Sequence, residues 1–364
     1  MNMGKRPDEE QVATALLGQI SALLDSPLRF MEVCGTHTIS IFRSGLRSLL
    51  PDGIQLISGP GCPVCVTPIA EIDRAIALAR SENVTIVTFG DMMRVPGSGS
   101  SLHQERAKGA DIRVILSPLD AVSLAQSSPN RKVVFFAVGF ETTSPAIAAA
   151  VKEAYSRGLG NFYLLSSQRL IPPALRALLS ARNVQIDGFL LPGHVSVIIG
   201  SAPYGFVASE FGLAGVITGF EGLDILEGIY MLVRQKKERR ATIEIQYRRA
   251  VKEEGNQRAV QIMEEMFEPA EARWRGLGLI EKSGLALRDE YSGMDAAKAF
   301  NIPYKDTADP PGCLCGEILQ GLKRPPDCPL FGTRCTPENP VGPCMVSSEG
   351  SCAAYHKYGG HHEG

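Results

Sequence analysis

The chain has 364 residues, 44% of them hydrophobic and 21% charged, with a formal net charge of −2. That is enough apolar chain for two or three domains with real cores. The near-neutral balance excludes a polybasic nucleic-acid binder, since the one basic cluster, Arg234 to Arg240, reads as a solvated helix end.

The first residues are polar and lack the apolar stretch of a signal peptide. No run of about eighteen apolar residues is long enough to span a membrane. A cytoplasmic protein without membrane contact is expected. Nine cysteines in such a chain point to metal binding or thiol redox chemistry rather than a static disulfide framework.

Gln11 to Leu24 carries Val12, Leu16, Leu17, Ile20, Leu23 and Leu24 at helical spacing and predicts an amphipathic helix, stopped by Asp25-Ser26-Pro27. Arg29 to Val33 reads as a strand. It runs into Cys34-Gly35-Thr36-His37-Thr38, and a helix follows through Ile39, Phe42, Leu46 and Leu50. A thiol and an imidazole this close can ligate one metal, or the imidazole can be the base for the thiol. A buried thiol beside a carbonyl-bonded histidine is the plainer alternative.

Ile54 to Ile57 is a second apolar strand, and it delivers Gly59-Pro60-Gly61-Cys62-Pro63-Val64-Cys65-Val66-Thr67-Pro68. Thr67 reads as the N-cap and Pro68 as the first residue of a helix with Ile69, Ile72, Ile76 and Ala79 on one face. Two thiols at C-x-x-C spacing in a strand-to-helix turn can close a disulfide or share a metal, and a helix N-terminus lowers thiol pKa. Half of a zinc knuckle and two inert thiols are the other readings, and no second C-x-x-C completes a knuckle.

Asn83 to Phe89 and Ile112 to Leu116 are further strands. The Pro96 to Ser101 loop between them lacks the ending of a Walker loop. Val133 to Val138 is a buried strand leading into Gly139-Phe140-Glu141-Thr142-Thr143 and a helix from Ser144. Glu141 is either a site carboxylate or a cap for that helix. Phe162 to Leu165 and Ile186 to Leu191 are strands with a helix between them, and the second enters Pro192-Gly193-His194-Val195-Ser196. Val216-Ile217 then leads to Gly219-Phe220-Glu221-Gly222, so Gly-Phe-Glu follows an apolar strand twice.

Strands alternating with helices predict the α/β class, with two parallel-sheet, Rossmann-like lobes over residues 31–130 and 131–235. Ligands of such sheets collect beyond the carboxyl ends of the strands. Cys34, His37, Cys62, Cys65, Glu141, Thr142, Thr143 and His194 all fall there, so one site shared by two lobes is expected.

From about Lys236 the composition changes. A polar helical stretch is predicted over Ile243 to Phe267, then a segment with Trp274, then loop and short helix over Ser283 to Ala299. The remainder holds Cys313, Cys315, Cys328, Cys335, Cys344 and Cys352 among Gly and Pro, with little apolar periodicity. A segment like this needs an inorganic staple. Four thiolates can hold a [4Fe–4S] cluster or a zinc ion. His361-His362 reads as a disordered tail.

Taken together, these motifs resemble the HypD family of [NiFe]-hydrogenase maturation factors. Cys34-Gly-Thr-His37, Gly59-Pro-Gly-Cys62-Pro-Val-Cys65, Gly139-Phe-Glu-Thr-Thr143 and Pro192-Gly-His194-Val-Ser196 carry the likeness. Cys313, Cys328, Cys335 and Cys352 fit the family's ligand pattern of fourteen, six and sixteen intervening residues. The resemblance implies two α/β lobes and a third, mainly helical and irregular domain from residues 1–30 with 236–364. That domain would carry a [4Fe–4S] cluster on those four cysteines, with Cys315 and Cys344 as a redox pair beside it.

It further implies a chain that is monomeric alone and acts with a small HypC-type partner. The pair would assemble iron carrying two cyanides and one carbon monoxide. The cyanide would arrive as a thiocyanate on HypE, itself loaded by HypF. Cys34 would be an iron ligand, His37 and His194 would hold protons or orient a ligand, and Cys62 with Cys65 would deliver electrons by closing a disulfide. One rival is a stand-alone thiol–disulfide reductase, which needs the cluster and dithiols but not Cys34, His37 or His194. Another is a zinc-stapled binding protein.

Overall fold

The computed structural model describes residues 7–181 and 185–359, so His361 and His362 lie outside the described residues. The chain opens with helix α1 (Pro7–Leu23) and strand β1 (Leu28–Glu32). Helices α2 (Gly35–Arg43) and α3 (Leu46–Leu49) are separated at Gly45, whose φ of 69° is the left-handed conformation glycine tolerates. After β2 (Ile54–Ser58) come α4 (Pro63–Val66) and α5 (Ile69–Ala79).

The chain then forms β3 (Val84–Thr88), α6 (Leu102–Ala107), β4 (Ile112–Val114) and α7 (Pro118–Ser127). Next are β5 (Lys132–Gly139), α8 (Ser144–Ser156), β6 (Phe162–Gln168) and α9 (Ile171–Ser180). It continues through β7 (Gly188–Pro192), α10 (Gly193–Ile199), α11 (Gly205–Ser209), β8 (Ala214–Thr218), α12 (Gly222–Lys237) and β9 (Ile243–Ile245).

Two parallel sheets result, with strand orders β2-β1-β7-β8-β9 and β4-β3-β5-β6. Burial on both faces explains the near-continuous apolar runs. The faces still alternate along each strand. Phe30, Leu56, Leu190 and Val216 pack with α1 and α12, whereas Met31, Ile57, Leu191 and Ile217 pack on the opposite side. In the second sheet Val133, Phe135 and Ala137 pack with α7 and α8, and Val134, Phe136 and Val138 with α5 and α9. The inner faces of both sheets share one core.

The α/β class with parallel sheets agrees with the sequence reading, but the sheets do not divide at residue 130. Strand β1 pairs with β2 on one side and with β7 on the other, Phe30 registering with both Leu56 and Gly188. The second sheet is thus an insertion between β2 and β7. Strand and helix alternate in the same way in both sheets, so chain order alone does not reveal which sheet a strand joins.

The stretch from Ile243 to Phe267 is helical only in α13 (Gln257–Met266), because β9 adds an edge strand to the first sheet. The segment with Trp274, given no element from the sequence, holds an antiparallel hairpin of β10 (Phe267–Trp274) and β11 (Gly278–Leu287), which takes Ser283–Leu287 from the expected loop, while short helical turns do follow over 289–299. The hairpin's Glu, Ala and Pro residues are poor strand formers. Burial of Trp274, whose indole N–H donates to Ser283 Oγ at 2.9 Å, offsets that weakness.

Beyond the hairpin, α14 (Ala296–Ala299), α15 (Cys315–Leu319) and α16 (Ser351–Tyr358) punctuate an irregular segment. No helix among the described residues is long and apolar enough to cross a membrane.

Candidate functional site

In the first sheet the chain winds outward from β1 to β2 and, in the other direction, from β7 to β8 and β9. The crevice at such a reversal, beyond the carboxyl ends of the strands, is where ligands of open α/β sheets bind. Cys34 leaves β1 at that point. Cys62 and Cys65 follow β2 on one side, while His194 follows β7 and Phe220 follows β8 on the other.

Cys34 is buried and is the N-cap residue of α2. Burial, then the nearby Glu349 carboxylate, pushes its thiol up to about 11 against the opposing hydrogen bonds of Thr36 and His37. The thiol is therefore protonated at neutral pH until a cation reaches it. Glu349 is held by the Thr36 hydroxyl, which donates to its Oε1 at 2.8 Å.

His37 is fully buried, and its Nε2 lies 3.0 Å from the Gly219 carbonyl and 2.9 Å from Thr218 Oγ1. A carbonyl only accepts, so Nε2 carries the proton and Nδ1 keeps a lone pair, which is buried and unpartnered. Burial lowers the imidazole to about 4, so the ring is neutral. Phe220 is stacked between His37 at 4.8 Å and His194 at 3.8 Å. Burial lowers the His194 pKa, and Glu349 opposes that shift.

Cys62 and Cys65 are joined as a disulfide. The helix that Thr67 was expected to cap, α5, is preceded by the short α4, which ends at Thr67; Cys62 is the N-cap of α4, and its Sγ accepts the Cys65 N–H at 3.2 Å. Pro63 fills the first helical position, and Pro68 is the N-cap of α5. The two thiol turns are laced together by backbone. Gly35 N–H donates to the Gly61 carbonyl at 3.1 Å and Gly59 N–H to the Glu32 carbonyl at 2.9 Å. A Cβ on Gly61 would lie 2.3 Å from the Cys34 nitrogen.

Behind these turns, Cys313, Cys315, Cys328, Cys335, Cys344 and Cys352 line one pocket walled by Ile318, Leu330, Phe331 and Met345. The sulfurs of Cys315 and Cys344 are 2.7 Å apart. Among the described residues no group of three or more His, Cys, Asp or Glu is gathered tightly enough to hold a single metal ion, although Cys315 lies in contact with Cys313 and Cys344, and Cys344 with Cys352. Helix α4 packs against the Pro343–Met345 turn. The Glu349 carbonyl stands only 2.1 Å from where a Gly35 Cβ would be. The cysteine pocket and both thiol turns are thus neighbours.

A family model described as "HypD: Hydrogenase formation hypA family" matches residues 11–359. The chain belongs to the HypD family. It is 49% identical over 361 residues to the hydrogenase maturation factor HypD2 of Bradyrhizobium diazoefficiens, covering 96% of this chain and 95% of that protein. It is 50% identical over 352 residues to the HypD of Rhizobium leguminosarum, covering 94% and 91%. Against the HypD of Escherichia coli the identity is 47% over 340 residues, covering 93% and 91%. The resemblance read from the motifs therefore holds along nearly the whole chain.

In this HypD-family chain Glu141 does not cap its own helix. Thr143 occupies that position, Thr142 is exposed, and Glu141 reaches the start of α9, where its Oε1 accepts the Ile171 N–H at 2.9 Å. Its Oε2 is buried without a partner, and burial pushes the carboxyl up to about 7. The second Gly-Phe-Glu differs, because Glu221 is exposed at the N-cap of α12.

Tyr204, absent from the sequence reading, is fully buried within electrostatic reach of both Glu141 and Cys34, and its hydroxyl lies 3.5 Å from Ser196 Oγ. Phe220 and Glu349 were also missed as site residues. The repeated Gly-Phe-Glu was the signal for the first, and nearness to Cys352 the only one for the second.

Proposed function

We propose that this HypD-family chain is a maturation scaffold that holds iron at Cys34 while two cyanides and one carbon monoxide are attached. It would work in the cytoplasm with a small HypC-type partner and take cyanide from a thiocyanate on HypE. The observation that carries the reading is the backbone lacing of the Cys34 turn to the Cys62–Cys65 turn at the sheet's switch point. Low-spin ferrous iron with such ligands is soft and suits a thiolate. As the cation binds, Cys34 gives up the proton that burial had kept on it. The neutral His37, with its free Nδ1, and the solvent-facing His194 are placed to hold a proton or orient an incoming ligand.

Releasing cyanide from a thiocyanate takes two electrons. The dithiol form of Cys62 and Cys65 supplies them: their S–S bond forms as the S–CN bond breaks. Their two protons go to the carrier thiol and to cyanide. An oxidised Cys62–Cys65 pair is what that step would leave.

Returning those electrons falls to the pocket behind. Cys313, Cys328, Cys335 and Cys352 would hold a [4Fe–4S] cluster, which supplies single electrons when bound, with Cys315 and Cys344 as the adjacent pair. Six thiols lining one apolar pocket provide the four ligands such a cluster takes, with two to spare. Glu141, on the second sheet, would act on the crevice through Tyr204, which lies within electrostatic reach of both Glu141 and Cys34. A stand-alone reductase for protein substrates would leave the lacing of the Cys34 turn to the Cys62–Cys65 turn without a role.

The test is infrared spectroscopy on the anaerobic chain purified with its co-expressed small partner. Cyanide and carbon monoxide on iron absorb where proteins are nearly silent. Two cyanide bands and one carbon monoxide band, lost in Cys34→Ala, are expected. A silent spectrum from a cluster-loaded complex, with the maturation partners present, would overturn the scaffold and leave the thiol reductase.

A further inference from the structure

The turn that joins β10 to β11 is wedged between the two sets of cysteines. On one side it holds the end of α4. The Arg275 backbone N–H donates to the Val66 carbonyl at 2.8 Å, and Arg275 Nε donates to the Thr67 carbonyl at 3.2 Å. Val66 is the residue after Cys65, and Thr67 is the C-cap of α4. On the other side the turn backs onto the start of α15. A Cβ on Gly276 would lie 2.6 Å from the Gly316 carbonyl oxygen, and Gln320 Nε2 donates to the Gly276 carbonyl at 2.7 Å. Gly316 follows Cys315, one of the thiols that line the cysteine pocket.

The Arg275 side chain is only 1% exposed. Its Nη1 donates to Asp309 Oδ1 at 2.5 Å, while Nη2 is buried without a partner. The Asp309 side chain is 34% exposed and reaches the same place, since its Oδ2 lies 4.0 Å from where a Gly316 Cβ would be. Both charges are within electrostatic reach of Cys315, which is itself in contact with Cys313. Water screens the partly exposed carboxylate more than the buried guanidinium, so the two fields do not cancel at the sulfurs.

The potential of an iron–sulfur cluster is set in part by the charges around it. We propose that the Arg275–Asp309 pair sets the electron affinity of the cysteine pocket, a role that rests on the cluster proposed above. Arg275 favours the arrival of an electron there, and Asp309 opposes it. One electron gained adds one negative charge to the pocket, with no bond made or broken. Because Arg275 also holds the end of α4, the residue that tunes the source of electrons is fastened to the turn that receives them.

The test is a redox titration of the anaerobic full chain with dithionite, followed by the electron spin resonance of the reduced cluster, with iron and sulfide counted in every sample. Arg275→Gln should make reduction at least about tenfold less favourable, a fall of about 59 mV for one electron. Asp309→Asn, which keeps an acceptor for Nη1, should shift the equilibrium the other way by about threefold. Arg275→Lys keeps the charge and should retain most of the wild-type potential. A merely structural role would alter cluster content or the thermal midpoint, and would not move the potential in opposite directions. Fully loaded variants whose potentials stay put, or move in the same direction, overturn the proposal. A wild-type chain that holds no cluster overturns the cluster assignment along with it. If Arg275→Gln fails to fold or load, Asp309→Asn at the more exposed position decides alone.

Discussion

Glu141 keeps one carboxyl oxygen on the Ile171 amide and the other on nothing, out of contact with water. Burial raises its pKa from an ordinary 4.5 to about 7. The folded chain therefore binds a proton at pH values where the unfolded chain has released it. Stability from this group is complete below the unfolded value and is lost as pH rises through about 7. Glu141→Gln keeps an acceptor for Ile171 and removes the titration. Denaturant unfolding should find the two proteins equal near pH 4 and the variant more stable at pH 8, by on the order of 3 kcal/mol. Equal stability at pH 8 would mean that Glu141 is solvated or paired in the folded protein.

The two thiol turns form one element, backbone against backbone, with Gly61 at the contact. No rotamer change makes room there for a methyl group. Gly61→Ala should destabilise by about 2 kcal/mol or more and lower the thermal midpoint by several degrees. A midpoint within about 1 °C of wild type would show that the turns are not in contact.

The strand-to-helix grammar of these turns was legible in the sequence, because an apolar run, a Gly/Pro break and a new helical stripe mark each one. That grammar put Cys34, the Cys62–Cys65 pair and His194 beyond strand ends in one shared site, but on two lobes; in the structure all of them follow strands of one sheet. The cap was harder to read. Pro63 and Pro68 are both good first-turn residues, and α4 is too short to show a period. The hairpin was hidden by Glu268, Pro269 and Glu271, although Gly276 and Gly278, with φ of 79° and 78°, are its turn signal. Pairing of β1 with β7, and the approach of Glu349 to Thr36, depend on contacts between distant segments that no local pattern records.

Across the whole molecule, the irregular cysteine segment is anchored at its far end. Helix α16 packs on α2, with Tyr355 edge-on to Phe42 at 4.7 Å and Arg47 over both rings at 4.8 and 5.2 Å. Asp91, in the helical turn after β3, accepts from Ser347 at 3.2 Å. Between these anchors regular structure is sparse, so the proposed cluster would be the main staple. Stripping iron with a chelator after oxidation should open residues 301–350 to limited proteolysis while both sheets stay resistant. Unchanged resistance after complete iron removal would assign the staple to protein contacts alone.

The insertion of one sheet within another also sets an order of events during synthesis. The second sheet lies wholly within Val84–Gln168 and can close as soon as that stretch leaves the ribosome. The first cannot, since Arg29 N–H finds its acceptor on Asp187, 158 residues later. Until then β1 presents an unpaired apolar edge, the kind of surface that newborn chains must have shielded. A chain stalled with Gln168 just emerged should hold a protease-resistant second sheet beside an open first one. The crevice around Cys34 is thus among the first parts of the protein to be made and among the last to be finished.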